Sequence, residues 1–224
     1  MKKNTYLFAG FIAASTILSS CGDKAPSGDN ATIQEKQEKS AIEGVEFTVD
    51  TAESRIRFTG NGVGKNHPGK FKLASGKVAI ANDKITGGSF VINIKTMELE
   101  EKGGMFQEKL HPHLMSGDFF DAEKFGTAKF DITDVKPYQG ESKDTSVVDG
   151  ANFTISGNLT IKSTTKNISF PAKVDLDGNT LKAKADFDID RTQWQISYGN
   201  DKTLGDKFIS EKVNIELDFK AKKQ

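Results

Sequence analysis

Apolar and polar residues alternate along most of this chain from Val45 onward. The period of two is clearest in three stretches, FTISGNLTIK (153–162), LKAKADFDID (181–190) and VNIELDFK (213–220). Because successive side chains of a β-strand point to opposite faces, each stretch predicts a strand with one apolar and one polar face. Such strands are typical of an antiparallel sheet that is packed on one side and wet on the other.

Less regular runs predict further strands, namely VEFTVD, SRIRFTG, GKFKLASGKVAI, GGSFVINIK, TAKFDITDV and NISFPAKV. Turn signals within and between the runs occur at Asn82-Asp83, Asp177-Gly178-Asn179, Gly76-Lys77 and Gly87-Gly88. One open sheet could not bury about eight to ten apolar faces, and closing the sheet also removes its unpaired edges. We therefore predict an all-β fold, an antiparallel β-barrel of about eight strands, with one short helical insertion.

The insertion lies in the main interruption of the alternation, between Met97 and Lys124. The apolar residues of its first half have roughly helical spacing: Met105, Leu110, Leu114 and Met115. We predict a short helix that lies over the barrel. The interpretation that we favour for the following HPHLMSGDFFD region is a hydrophobic plug at one end of the barrel, formed by Leu114, Phe119, Phe120 and Phe125.

Two other interpretations apply to the same region. His111 and His113 could face one way in an extended segment, but zinc needs three or four ligands and the chain has no more than three histidines. Asp118 and Asp121 could act as acid and base, but Ser116 has no base beside it in the sequence that would activate it as a nucleophile. Neither a metal site nor catalysis is therefore predicted.

The N-terminus has the features of an export signal. Lys2 and Lys3 precede an apolar run from Tyr6 to Leu18, and this run is too short for a typical membrane-spanning helix. The run leads into LSSC, which is similar to a bacterial lipobox, and Cys21 is the sole cysteine of the chain. We predict a lipoprotein signal peptide over residues 1–20 and acylation of Cys21; the alternative is a signal followed by an ordinary unpaired cysteine.

The charge and composition of the chain narrow its function. Its 31 basic residues balance 31 acidic ones, so nothing favours a nucleic-acid partner. Residues 21–43 contain few large apolar side chains, which predicts a flexible linker after the acylated Cys21. Residues 44–222 form the predicted barrel domain. The 16 phenylalanines of the chain, against three tyrosines and one tryptophan, indicate an apolar interior.

The order of these segments resembles the YceI-like family of exported, lipocalin-like β-barrel proteins. The resemblance covers about residues 45–220 and rests mainly on HLMSGDFFD and ISGNLTIKSTTKNISF, with support from FDIDRTQW. The chain departs from the family pattern at Gly126, where a proline is usual, and at Gln195, where a glycine is common. The resemblance implies a lipocalin-like barrel whose interior holds a long apolar molecule, typically a polyisoprenoid.

This resemblance suggests a ligand site inside the barrel. Small inward-facing residues could leave a lumen, unless larger partners fill the space: Gly157, Ala172, Ala183 and Ala185. Arg191 and Trp194 could meet a ligand head group, or could form an ordinary cation–π or ion pair. The predicted ligand-binding residues are Phe58, Phe71, Phe90, Ile92, Leu114, Phe119, Phe120, Phe130, Phe153, Phe170, Phe187, Arg191 and Trp194.

The predicted function is that of an envelope lipoprotein that binds a long isoprenoid-type lipid, polyprenyl or quinone-like, for carriage, storage or stress protection. No enzymatic activity and no cofactor are expected. The alternative is a structural or interaction barrel without a ligand. The predicted partners are the apolar lipid and the membrane, reached through the acylated Cys21, and a homodimer is left open. The predicted location is the cell envelope, where the lipid anchor would hold the protein to a membrane such as the outer membrane, on its periplasmic or surface face; the sequence leaves the membrane and the leaflet open.

Overall fold

A computed structural model describes residues 26–39, 43–62, 64–140 and 146–224. The predicted signal peptide and Cys21 lie outside the described residues. No described helix has the length and apolar character needed to cross a membrane. The strands are β1 Asp29–Asn30, β2 Thr32–Glu35, β3 Val45–Val49, β4 Arg55–Gly62, β5 Lys65–Ala81, β6 Lys84–Leu99, β7 Thr127–Pro137, β8 Phe153–Ile161, β9 Thr164–Asp177, β10 Thr180–Asp190 and β11 Ile209–Lys223.

The helical segments among the described residues are few and short. A π-helical turn over Phe106–Leu110 runs directly into the helix α1, His111–Met115. Two 3-10 segments, Arg191–Trp194 and Lys202–Lys207, lie between β10 and β11. The predicted helical insertion is therefore confirmed between β6 and β7.

Eight strand positions close into an antiparallel barrel, which confirms the predicted fold class. Strands β5 to β10 each pair with the next strand in sequence, and β3 and β4 together occupy the remaining position between β11 and β5. The hairpin turn at Asn82-Asp83 is confirmed, since both residues have positive φ (51° and 59°), as a type I′ turn requires. The turn at Asp177–Asn179 is also confirmed, with Gly178 at φ 54°.

Two of the predicted turns are wrong. Gly76-Lys77 lies within β5, and Gly87-Gly88 lies within β6. Both strands run on through these glycines, and irregular register nearby (between Leu73 and Ser75, for example) shows that the strand bends rather than reverses. The barrel accordingly has two long strands where the sequence predicted shorter pieces.

The seam between β9 and β10 is filled by the N-terminal part of the chain. These strands pair directly only between residues 173–177 and 180–184. Beyond that point β1 pairs with β10 in parallel, with Asp29 opposite Phe187, and β2 pairs with β9 antiparallel, with Thr32 opposite Ser169. The prediction of a flexible linker over 21–43 is therefore wrong for β1 and β2. We call residues 28–39 the N-terminal strap.

The strap buries polar residues on the outer face of the barrel. Asn158 is 2% exposed although it points outward, because its side chain accepts a hydrogen bond from the Gln37 N–H (3.0 Å) and donates one to the Gln37 carbonyl (2.7 Å). The side chain of Asp188 accepts a hydrogen bond from the Gly28 N–H (3.1 Å), and the backbone carbonyl of Asp188 accepts one from the Ala31 N–H (3.0 Å). The outward direction predicted for Asn158 is correct, but the strap excludes water from it.

An ion pair fixes the end of the strap. The Lys39 ammonium lies 2.6 Å from the carboxylate of Asp131 on β7, and Lys129 lies 3.2 Å from the same carboxylate. Burial raises the pKa of Asp131, but hydrogen bonds from Lys39, Ser89 and Lys129 outweigh this effect and hold the pKa below its ordinary value. The charged form of Asp131 therefore helps to hold the strap against the barrel above about pH 4.

Candidate functional site

An apolar cavity of about 280 Å³ lies inside the barrel, on the side of β4 and α1. Its walls are formed almost entirely by carbon atoms of inward-facing side chains from all eight strand positions. The inward residues Val213, Ile215 and Leu217 of β11 remain partly accessible because they face this space rather than close-packed neighbours. Such an environment favours an apolar molecule over water.

Most of the residues predicted to bind a ligand surround this cavity. Those that line it are Phe58, Phe71, Phe90, Ile92, Leu114, Phe119, Phe120, Phe130, Phe170, Phe187 and Arg191. Phe153 and Trp194 do not. Phe153 packs against the main hydrophobic core, and the fully buried Trp194 donates its indole N–H to the Leu159 carbonyl at 2.9 Å. These two residues belong to the supporting structure of the barrel and not to the cavity wall.

Several wall residues were not in the predicted set. They include Ile56, Ile94, Leu159, Ile161, Ile168, Val213, Ile215, Leu217 and Phe219. The signal for most of them was present, because each occupies the apolar phase of an alternating strand. Ile209 and Ser210 are different, since they are the first residues of β11, where the register to β4 shifts, and no local pattern marks them.

The region His111–Asp121 covers one end of the cavity. Leu114, Phe119 and Phe120 line it, as the plug interpretation expects, while Phe125 does not. Phe120 contacts Phe71 edge-to-face, with ring centroids 5.6 Å apart, so the plug packs onto the barrel wall.

The polar side chains of the plug bind within the plug or to the barrel. His111 lies 3.1 Å from the Met97 carbonyl, and His113 lies 2.9 Å from Asp118. The Ser116 hydroxyl donates to the His113 carbonyl at 2.8 Å. Within the described part of the chain, no group of three histidine, cysteine, aspartate or glutamate side chains could hold a metal ion.

Arg191 is a buried cation in the cavity wall. Its guanidinium donates to the carbonyls of Ser210 (2.9 Å), Ile196 (2.6 Å) and Ile209 (2.9 Å), and lies 6.0 Å from the Phe119 ring centroid. Burial lowers its pKa, although the nearby acidic residues favour the charged form. These bonds join the 3-10 segment to the start of β11. Arg191 therefore has a structural role, which was one of the two interpretations drawn from the sequence. Contact with a ligand head group stays a prediction.

The outer end of the cavity carries a polar side chain with unused hydrogen-bonding capacity. Asn61, at the tip of the β4–β5 hairpin, lines the cavity, and its buried Oδ1 has no hydrogen-bond partner. His67, on the facing strand, also lines it and is held by Glu101 at 2.6 Å. A ligand with an apolar chain and a polar end could therefore direct its polar end toward Asn61.

The small residues expected to leave a lumen do not border the main cavity. The Phe130 ring lies where a Cβ at Gly157 would be, so this space is filled by a larger partner. Ala172, Ala183 and Ala185 line a separate cavity of about 70 Å³ at the other end of the barrel. The larger cavity is therefore lined mainly by large side chains that stand apart across the barrel, and the three alanines border only the smaller cavity.

Curated relatives of this chain have no function in their names. UPF0312 proteins of Vibrio cholerae are 29% identical to it over 138 residues, which is 59% of this chain and 65% of theirs. A UPF0312 protein of Shewanella denitrificans is 27% identical over 137 residues, covering 59% of this chain and 63% of that protein. The match thus spans just under two thirds of the length of these relatives.

Solved structures share the fold. BcnA of Burkholderia cenocepacia superimposes with a TM-score of 0.60 at 19% identity, covering 77% of this chain and 98% of that one. A polyisoprenoid binding domain from Saccharophagus degradans, implicated in plant cell wall breakdown, gives a TM-score of 0.59 at 13% identity over 80% and 99% of the two chains. The profile of the YceI-like domain matches residues 47–221, from β3 to β11. The chain therefore belongs to the YceI-like domain family.

Proposed function

We propose that this protein binds an isoprenoid-type lipid, polyprenyl or quinone-like, inside its barrel, and that it serves as a carrier or store of that lipid rather than as an enzyme. The observation that carries the proposal is the 280 Å³ cavity with its almost entirely carbon-lined walls. The fold shared with a polyisoprenoid binding domain supports the same ligand class. The unpartnered Oδ1 of Asn61 supports a ligand with a polar end.

Filling the cavity is expected to abolish lipid binding without unfolding the barrel. Ile215 faces the cavity, so an Ile215→Trp variant places an indole where the lipid would lie. Asp218→Trp, on the same strand but exposed, is the matched control. Chains that start at residue 22 are purified, extracted with organic solvent and examined by native mass spectrometry. Wild type and Asp218→Trp should carry extractable lipid, and Ile215→Trp should carry at most about one tenth as much.

The alternative is a barrel with a structural or interaction role and no ligand. It predicts that wild-type protein is free of lipid, takes up no added prenol, and behaves as Ile215→Trp does in the same measurement. Lipid bound equally by wild type and Ile215→Trp would place the ligand outside the cavity and contradict our proposal.

We further propose that the protein is a lipoprotein of the cell envelope, held by acyl chains on Cys21. The motif LSSC after an apolar run supports this. Each buried methylene of an acyl chain contributes about 0.8 kcal/mol, so two or three chains would give lasting attachment. Wild-type protein should fractionate with membranes and show the added acyl mass, whereas Cys21→Ser should show neither. A wild-type Cys21 that reacts with iodoacetamide would contradict acylation.

A further inference from the structure

A layer of aromatic rings separates the two cavities of the barrel. Phe90, Phe130, Phe170 and Phe219, which we call the phenylalanine layer, line both the larger and the smaller cavity, together with Leu217. Ring centroids are 5.3 Å apart for Phe90 and Phe219, 6.3 Å for Phe90 and Phe130, and 5.9 Å for Phe130 and Phe170. The rings come from β6, β7, β9 and β11, so the layer extends across the interior.

The order of residues along the strands places this layer at mid-height. On β11, Val213 and Ile215 line the large cavity, Leu217 and Phe219 line both, and Ala221 lines the small one. On β9 the same order holds, because Ile168 lines the large cavity, Phe170 both, and Ala172 and Val174 the small one. The two cavities are therefore stacked along the barrel, with the layer between them.

The layer is held in place by its neighbours. Gly157 on β8 lies opposite the Phe130 ring, and any Cβ at this position would overlap that ring. Phe170 stacks on Phe187 with centroids 4.0 Å apart and planes 11° apart. Because Phe130 lies directly against Gly157 and Phe170 stacks on Phe187, these two rings cannot leave the space between the cavities without losing those contacts.

The volume on the outer side of the layer limits what can bind. An apolar protein cavity of about 150 Å³ takes up benzene, so the large cavity of about 280 Å³ corresponds to about ten to fifteen carbon atoms. A polyisoprenoid longer than this is not enclosed by the large cavity alone. It would need the small cavity as well, and the rings block the way.

We propose that the phenylalanine layer closes the ligand cavity at mid-barrel and so selects a short isoprenoid chain of about ten to fifteen carbons. This inference rests on the proposed function and specifies the chain length of the lipid. Phe90 and Phe219 are then specificity-determining residues, since their rings decide whether the chain can continue into the small cavity.

The test compares a short and a long prenol on protein that starts at residue 22, which retains every described residue. Wild type, Phe90→Ala/Phe219→Ala and Val78→Ala/Val174→Ala are incubated with phosphatidylcholine vesicles that contain farnesol or the much longer solanesol. The protein is then reisolated and its bound lipid is measured by native mass spectrometry. Val78 and Val174 line only the small cavity, so their double variant enlarges that cavity and leaves the layer intact.

Wild type and the valine variant should take up farnesol in preference to solanesol by about tenfold or more, because each methylene left outside forfeits its burial. The phenylalanine variant should lose this preference by gaining solanesol. Thermal unfolding checks that each variant is folded, and Phe90→Leu/Phe219→Leu replaces the alanine pair if it is not.

The outcomes separate this inference from the proposed function. Equal uptake of both prenols by wild type, or an unchanged short-chain preference in a folded layer variant, overturns the length limit and leaves lipid binding in place. Failure of wild type to bind either prenol overturns the proposed function and the length limit with it.

Discussion

Replacing Trp194 by alanine is expected to lower the free energy of unfolding by about 3–5 kcal/mol. Its side chain is the largest of those that are fully buried, and its N–H is bonded to the Leu159 carbonyl. The substitution would leave a cavity beneath the 3-10 segment and an unpaired carbonyl on β8. Urea unfolding, followed by circular dichroism because the variant lacks the sole tryptophan, measures the change.

Two variants separate the contributions to this loss. Trp194→Phe keeps most of the apolar volume but removes the hydrogen bond, so it should cost less than the alanine variant. Gln193→Ala changes the exposed neighbour and should shift the free energy of unfolding by no more than about 0.5 kcal/mol. A Trp194→Ala protein as stable as Gln193→Ala would show that the indole is not needed for the barrel.

Removing the N-terminal strap should have an effect of similar size. A chain that starts at residue 40 lacks the paired bonds between Gln37 and Asn158 and both bonds to Asp188. At about 1 kcal/mol for each net hydrogen bond, these four alone are worth about 4 kcal/mol. The free energy of unfolding of chains starting at residues 22 and 40 gives the comparison.

Hydrogen exchange shows where the loss arises. Without the strap, the amides of residues 166–169 on β9 and 185–188 on β10 should exchange faster, because they border the seam that the strap fills. Glu35→Ala is the control within the strap. It removes an exposed ion pair with Lys166 and should change stability by less than about 1 kcal/mol. Unchanged exchange along the seam would show that the barrel closes without the strap.

The strands could be predicted from sequence because their period is local. In β8, β10 and β11, the position of a residue in the alternating pattern is enough to predict whether its side chain points inward. No information from outside the strand is needed for this prediction. The glycines misled this prediction for a physical reason. A Cβ at Gly76 would lie 2.8 Å from the Val49 side chain, and one at Gly88 would lie 2.9 Å from the Lys77 carbonyl. These glycines allow close packing inside a strand, which the sequence alone does not distinguish from a turn.

The pairing of the strap with the barrel could not be predicted from a local sequence pattern. Its sequence is polar on both sides, and its hydrogen bonds join residues more than 100 positions apart, such as Gln37 and Asn158. The inward-facing positions of the strands similarly identified most residues of the cavity wall, but they did not predict how deep the cavity is. That depth depends on which rings meet across the barrel, as Phe130 does opposite Gly157.

Gln195 illustrates a departure that the structure explains. It follows the 3-10 segment in the left-handed conformation, with φ 60° and ψ 26°. Glycine adopts this conformation without steric cost, which accounts for a glycine at this position in the family pattern. The glutamine side chain instead donates a hydrogen bond to Thr164 at 3.2 Å.

The docking of the strap into the seam sets how the molecule can sit at a bilayer. Gly28 is seven positions after Cys21, and even a fully extended chain of that length reaches no more than about 25 Å. If Cys21 carries acyl chains, the β9–β10 flank must stay within that radius of the lipid surface. The short tether would then keep the barrel close to the membrane with the same side always facing it, whereas a long linker would allow the barrel to move away and turn freely.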